Sequence, residues 1–203
     1  MLTRLHGVRH SNAWIFGTML LSAGLSLAAS FVLSVDAWRL AANPGTDLSC
    51  DINAVISCGT VGSSWQAQLF GFPTAFLGLM AEPVVITIAV ASLSGVRFPR
   101  WFMFTAQVVY TIGVVLAYWL FYQSMFVIGA LCPWCLLVTA STTLVFATLT
   151  HVNIRDGNLP LPPRAQSALR SAVDADLDAT VVTIWLLALV LAVVLRYGSA
   201  LFG

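Results

Sequence analysis

The sequence predicts an all-α, polytopic membrane protein, and three observations carry that expectation. Hydrophobic residues fill 59% of the 203 positions and charged residues only 8%, whereas a soluble domain carries about a quarter charged residues. So few charges cannot cover a water-facing surface. Five stretches are apolar over something near the ~20 residues that a membrane-spanning helix needs. Arginines then recur on alternate connections between those stretches, the pattern that orients a chain in a bilayer.

The first stretch runs from roughly Trp14 to Val35. It exceeds the roughly 7–15-residue core of a cleaved signal peptide, so it reads as a retained span. The second runs from about Pro73 to Leu93 and opens on a proline, whose missing N–H costs little in a first turn. The third covers about Trp101 to Ser124 and the fourth about Leu131 to Leu149. The fifth, about Ala179 to Leu195, is short but sufficient. Residues 1–150 thus form one four-helix unit, 151–178 a linker, and 179–203 the fifth helix with a short tail. In the linker, Leu159-Pro160-Leu161-Pro162-Pro163 cannot be helical throughout, and Asp174, Asp176 and Asp178 precede the last span, where negative charge favours a helix start. It reads as a solvated connector.

Arg4 and Arg9, then Arg97 and Arg100, then Arg155, Arg164 and Arg170 fall on one side, which should be cytoplasmic. Only Arg39 and Arg196 fall on the other. The amino terminus is therefore expected inside and the carboxyl terminus outside, which in a bacterium means the inner (cell) membrane. The net charge of +1 argues against a nucleic-acid partner, leaving lipid as the surrounding medium. Every basic residue is an arginine, so no lysine offers Schiff-base chemistry.

The outer connections are the loop from about Asp36 to Phe72 and the turn near Phe126 to Ala130. All four cysteines lie there or at its edge, on the side where disulfides persist. In the loop, Asn43-Pro44-Gly45 marks a turn, and Ser63-Ser64 can cap a short surface helix that shows Trp65, Leu69 and Phe70 on one face. Cys132-Pro133-Trp134-Cys135 opens the fourth span. One helical turn separates its sulfurs, and the helix N-terminus favours thiolate over thiol, which activates the pair for exchange. Cys50 and Cys58 have enough chain between them to close a disulfide. Such a loop disulfide alone is more often structural. Beside the C-x-x-C, a mobile loop pair and a fixed helix-start pair make an electron relay. A non-enzymatic protein with static disulfides, or with a four-cysteine metal site, is the rival of another class.

The run Cys50-Asp51-Ile52-Asn53-Ala54-Val55-Ile56-Ser57-Cys58, followed by Ser63-Ser64 and then Cys132-Pro133-Trp134-Cys135, resembles the vitamin K epoxide reductase family over roughly Trp14 to Leu149. The resemblance implies that residues 1–150 are a catalytic four-helix bundle around a quinone, with the loop and short helix capping it. It implies that Cys50 exchanges with a partner, that Cys58 passes electrons to Cys132, and that Cys135 faces the quinone and bonds to it transiently. Ser63, Ser64 and Thr139 are candidates to stand near that quinone, whether menaquinone, ubiquinone or a vitamin K type. So are Phe70 and Phe76 as ring-lining aromatics. Glu82, an ionisable group deep in the second span, is a functional candidate by its cost alone. Gln107 in the third span either packs or faces the pocket. Bacterial members often carry a fused thioredoxin-like domain after a fifth span. None lies within these residues, so the expected partner is a separate thioredoxin-fold disulfide oxidase in the periplasm or cell envelope. Thr139 departs from the family's vitamin K-reducing animal enzymes, which carry a tyrosine there. This favours a disulfide-forming enzyme of bacterial type over reduction of vitamin K epoxide, the alternative within the class.

Overall fold

The computed structural model describes residues 11–202, with side chains described through residue 198. Arg4, Arg9, His6 and His10 lie outside the described residues. The described chain forms α1 (Asn12–Ala42), α2 (Cys58–Gly62), α3 (Ala75–Leu93), α4 (Arg100–Tyr122), α5 (Pro133–Asp156), α6 (Pro163–Asp174) and α7 (Leu177–Phe202). A single 3-10 turn covers Trp65–Gln68, and a π turn, Gln123–Ile128, extends α4. Five helices are long and apolar enough to cross a membrane: α1, α3, α4 with its π turn, α5 and α7. The chain is a multi-pass, all-α membrane protein.

Local chemistry sets the ends of these helices. Ser11 caps α1 by accepting from the Trp14 N–H. Pro133 occupies the first turn of α5, behind Cys132 as the N-cap, and Gly157 closes that helix with φ 69°. Gly129, at φ 76°, ends the π turn and reverses the chain towards Cys132. α1 runs seven residues beyond the expected Val35. At 1.5 Å per residue it spans about 46 Å, well beyond a ~30 Å hydrocarbon core. Its last turns therefore project from the bilayer and carry the cysteine loop.

Side-chain packing decides which helices touch. α1 packs against α3 and α5, and α5 packs against α4 and α7. Met19, Ile88, Val145 and Leu149 form the apolar core towards the end away from the cysteines. Ser22, Ser26, Ser30 and Ser34 run down one buried stripe of α1, and small residues of this kind let helices approach closely in lipid. A Cβ added to Gly78 of α3 would run into the Ser30 side chain, 2.9 Å from its Cβ, so the seam is closed tightly enough to favour glycine there. α7 docks on the outside of the bundle. Trp185 Nε1 donates to the Tyr118 hydroxyl at 2.8 Å, and His151 Nδ1 meets Asp178 Oδ2 at 2.6 Å.

The linker differs from the solvated connector expected for 151–178. Residues 151–156 complete α5, and 163–174 form α6, which folds back onto α5. Gln166 Nε2 donates to the Ile154 carbonyl at 2.6 Å, and Val173 is buried. The prolines stop one helix and start the next, as their chemistry requires. The apolar contact of Val173 was too short a signal to stand out in a polar segment.

The tight α1–α3 contact makes a first prediction. Gly78→Ala overpacks that seam and should cost about 1–3 kcal/mol, read as a lowered Tm in detergent. Adding Ser30→Gly should recover most of the loss.

Candidate functional site: two cysteine pairs above an apolar cavity

The four cysteines gather at one end of the bundle, opposite Arg97, Arg100 and Arg155. The loop that carries the first pair is held by three polar devices. The Asp51 carboxylate accepts from the Gly59 N–H at 2.8 Å, the Ser57 hydroxyl at 2.8 Å and the Leu48 N–H at 2.9 Å. The Asn53 side-chain oxygen accepts from the Val55 and Ile56 N–H groups, an Asx turn. Ile56 and Leu131 then pair as an isolated parallel bridge. In that bridge the Ser57 N–H donates to Leu131 O at 3.0 Å, and the Leu131 N–H donates to Val55 O at 2.7 Å. The residue after each side of this bridge is a cysteine or leads to one: Cys58 opens α2, and Cys132 caps α5.

A disulfide joins Cys50 and Cys58, with their Cα atoms 5.6 Å apart. Cys132 and Cys135 are thiols. Cys58 Sγ lies 3.1 Å from Cys132 Sγ, and Cys58 and Cys132 are buried. The mobile loop expected from the sequence is thus tied down: no swing is needed to bring the two pairs into contact. The Cys135 thiol, hydrogen-bonded to Cys132, is the main cause holding the Cys132 thiol below the ordinary thiol range. Burial opposes it, the N–H groups of Cys135 and Trp134 reinforce it, and the Asp36 carboxylate opposes it again. Cys132 is therefore the sulfur most ready to act as nucleophile or leaving group. Burial pushes Asp51 upwards, but the Gly59 and Leu48 N–H groups and the Ser57 hydroxyl outweigh it and hold the carboxyl below its ordinary value.

Directly beneath the sulfurs, a cavity of about 210 Å³ opens between α1, α3, α4 and α5. By the same measure one water takes roughly 10–15 Å³, so the space suits a ligand rather than a bridging solvent molecule. Cys58, Cys132 and Cys135 reach it from above. Its walls are largely aliphatic, from Leu33, Leu77, Leu116, Leu120 and Leu136. Asp36 and Glu82 also belong to its lining, and one buried oxygen of each, Asp36 Oδ2 and Glu82 Oε2, has no hydrogen-bond partner. An apolar slot with a few convergent polar atoms is the usual form of a small-molecule site.

Among the expected pocket residues, Ser64, Thr139 and Glu82 line this cavity. Four do not. The Ser63 hydroxyl turns back to the Gly59 carbonyl at 2.8 Å, completing the helix end instead. Phe70 and Phe76 are exposed and stack through Phe72 into an outward-facing aromatic row, which suits a membrane interface. Gln107 donates to Thr150 Oγ1 and accepts from Asn153 Nδ2, so its role is packing between α4 and α5. Asp36, Gln66, Ser26 and Tyr110 escaped notice. The four-residue serine spacing in α1 marks the Ser26 stripe in hindsight. Gln66 gave no signal: a 3-10 turn rather than an α-helix places it inside, 3.4 Å from Gln123 Oε1, while Trp65 faces out. Among the described residues, no three Cys, His, Asp or Glu side chains group as metal ligands.

A polytopic helical protein that sets a disulfide against a second cysteine pair, over an apolar cavity, has the build of a membrane thiol oxidoreductase. The sequence pattern of the vitamin K epoxide reductase family matches residues 18–150, a stretch that takes in all four cysteines and every wall of the cavity. This chain belongs to that family, whose general activity is membrane thiol–quinone oxidoreduction. No curated protein matches the chain.

The Asp51 clamp yields a second prediction. Asp51→Ala removes three bonds to a charged acceptor and should loosen the loop by about 1–2 kcal/mol. The loop disulfide should then be reduced several-fold faster by a small dithiol. In the unsubstituted chain, the lowered carboxyl keeps the clamp intact above the ordinary aspartate value of ~3.9. The clamp releases only as pH falls through the lowered folded-state value.

Proposed function

We propose that this chain is a bacterial disulfide-forming enzyme that reoxidises a separate thioredoxin-fold oxidase and delivers the electrons to a quinone. The observation that carries the reading is the 3.1 Å separation of Cys58 and Cys132 at the roof of the apolar cavity. A contact of that length permits exchange between the pairs without rearrangement of the backbone.

The electron path balances at each step. A thiolate of the reduced partner attacks Cys50, opening the loop disulfide. The partner's second thiol resolves the mixed disulfide, leaving the partner oxidised and Cys50 and Cys58 reduced. Cys58 then attacks Cys132 of an oxidised C-x-x-C, and Cys135 leaves as thiolate. Cys50 attacks Cys58, which restores the loop disulfide and releases Cys132. The chain then holds a loop disulfide and a C-x-x-C dithiol, the arrangement in the structure. A bound quinone supplies a two-electron, two-proton acceptor for that dithiol. The aliphatic walls exclude water from it, Cys135 faces it from the roof, and Glu82 is among its few polar lining residues.

The arginine asymmetry supports an inner-membrane setting with the cysteines on the periplasmic side, where a thioredoxin-fold oxidase would meet Cys50. Thr139, in the position of the animal enzymes' tyrosine, disfavours vitamin K epoxide as the main substrate.

Two measurements test the reading. The purified chain should oxidise a reduced thioredoxin-fold oxidase catalytically only when quinone is supplied; oxidation at an equal rate without quinone overturns it. In Cys135→Ala, Cys132 lacks its resolving thiol. A Cys58–Cys132 disulfide should accumulate as the Cys132 thiolate displaces Cys50, read by peptide mass mapping without reduction. An unchanged Cys50–Cys58 bond in every molecule would show that the two pairs do not exchange.

A further inference from the structure

We infer that Glu82 is the proton donor to the ring oxygen of the quinone remote from Cys135, with Ser26 and Tyr110 as its positioning residues. The inference rests on the proposed quinone reduction and adds to it the source of a proton. Glu82 is 3% exposed and lies in the middle of a membrane-length helix. A charge at that depth with no counter-ion is costly, and no arginine or histidine is bonded to it among the described residues. Its depth favours the neutral acid, and both of its hydrogen bonds fall on one oxygen. Oε1 accepts from Ser26 Oγ at 2.7 Å and from the Tyr110 hydroxyl at 3.1 Å. Both donors fall on Oε1, which leaves Oε2 as the oxygen to carry the acid's proton. That second oxygen is buried and lacks any partner, and Glu82 is part of the cavity lining.

An unsatisfied buried donor costs roughly 1–3 kcal/mol, a penalty that a bound acceptor oxygen would remove. The register is suitable. Along α1 the cavity lining runs from Leu40, beside the cysteine loop, down to Ser26, the residue that bonds Glu82. The sulfur and the acid therefore face opposite ends of the same slot, as the two carbonyls of a quinone ring require. Oxidising the Cys132–Cys135 dithiol to a disulfide releases two electrons and two protons. The quinone takes up two of each and leaves as hydroquinone. One of its two protons comes from Glu82 Oε2, and Glu82 is reprotonated before the next cycle, so it is unchanged overall.

The test compares Glu82→Gln with the unsubstituted chain. Glutamine keeps an amide to meet Ser26 and Tyr110 but cannot give up a proton. With a soluble quinone as acceptor, kcat should fall at least ~100-fold, in the range of general acid catalysis, with KM for the quinone changed less than about threefold. Exchange between the oxidase and the loop pair, measured without quinone, should be unaffected. Independently of turnover, the infrared carbonyl stretch of a protonated carboxylic acid should shift when quinone is added to the oxidised protein, and Glu82→Gln should lack that band. Glu82→Asp, which keeps the acid on a shorter arm, should retain partial activity and serves if the glutamine variant does not fold. A glutamine variant with undiminished kcat, or an acid band indifferent to quinone, overturns the assignment while leaving the thiol relay standing. If the unsubstituted chain reduces no quinone at all, the underlying reading fails first and this one with it.

Discussion

The function of this fold depends on one short parallel bridge, between Ile56 of the loop and Leu131 before α5. Two backbone hydrogen bonds fix the register of two segments that are remote in sequence, and each segment delivers a cysteine to a helix start. Without that register Cys58 and Cys132 would sit on separate elements with no reason to meet. With it, they are 3.1 Å apart. The Asp51 carboxylate and the Asn53 turn prevent the loop from fraying away from this contact. Neutral backbone hydrogen bonds contribute about 1 kcal/mol each in net terms. The bridge therefore directs the loop more than it stabilises it.

Burial of the two sulfurs has a chemical consequence. Thiol–disulfide exchange needs a thiolate, and a buried thiolate is costly unless hydrogen bonds support it. At Cys132 the N-cap position supplies the Cys135 N–H at 3.4 Å, and the neighbouring thiol supplies a further donor. The same helix start therefore activates the sulfur and aims the C-x-x-C into the cavity. The cavity lies where α1 and α3 pack closely but α3 and α4 do not, and the Tyr110 hydroxyl reaches across from α4 to Glu82.

Much of this was legible in the residues. Hydropathy located all five spans, because lipid demands unbroken apolar helices, though α1 and α5 each run seven residues past the expected end. Cysteine spacing and arginine bias placed both redox pairs at one end. The extension of α1 to Ala42 was hidden, because a helix leaving the membrane loses its apolar signature while keeping its backbone bonds. The folding of α6 onto α5 was hidden by its polarity. Ser63, Phe70 and Phe76 were misplaced and Gln107 was left open, because sequence gives residue type and approximate depth, not the rotation of a helix face. Glu82 stood out for the opposite reason: an acid in the middle of a span is conspicuous at any rotation. The contact between loop and helix was the least legible feature, since a bridge of two hydrogen bonds leaves no composition signal.

The electron route itself is open to a single-turnover measurement. One equivalent of reduced thioredoxin-fold oxidase is mixed with fully oxidised chain in the absence of quinone, quenched with an alkylating reagent, and mapped by mass spectrometry. Transfer through Cys58 to Cys132 predicts label on Cys132 and Cys135, with the Cys50–Cys58 disulfide restored. Label that remains on Cys50 and Cys58, beside an untouched C-x-x-C disulfide, would contradict it.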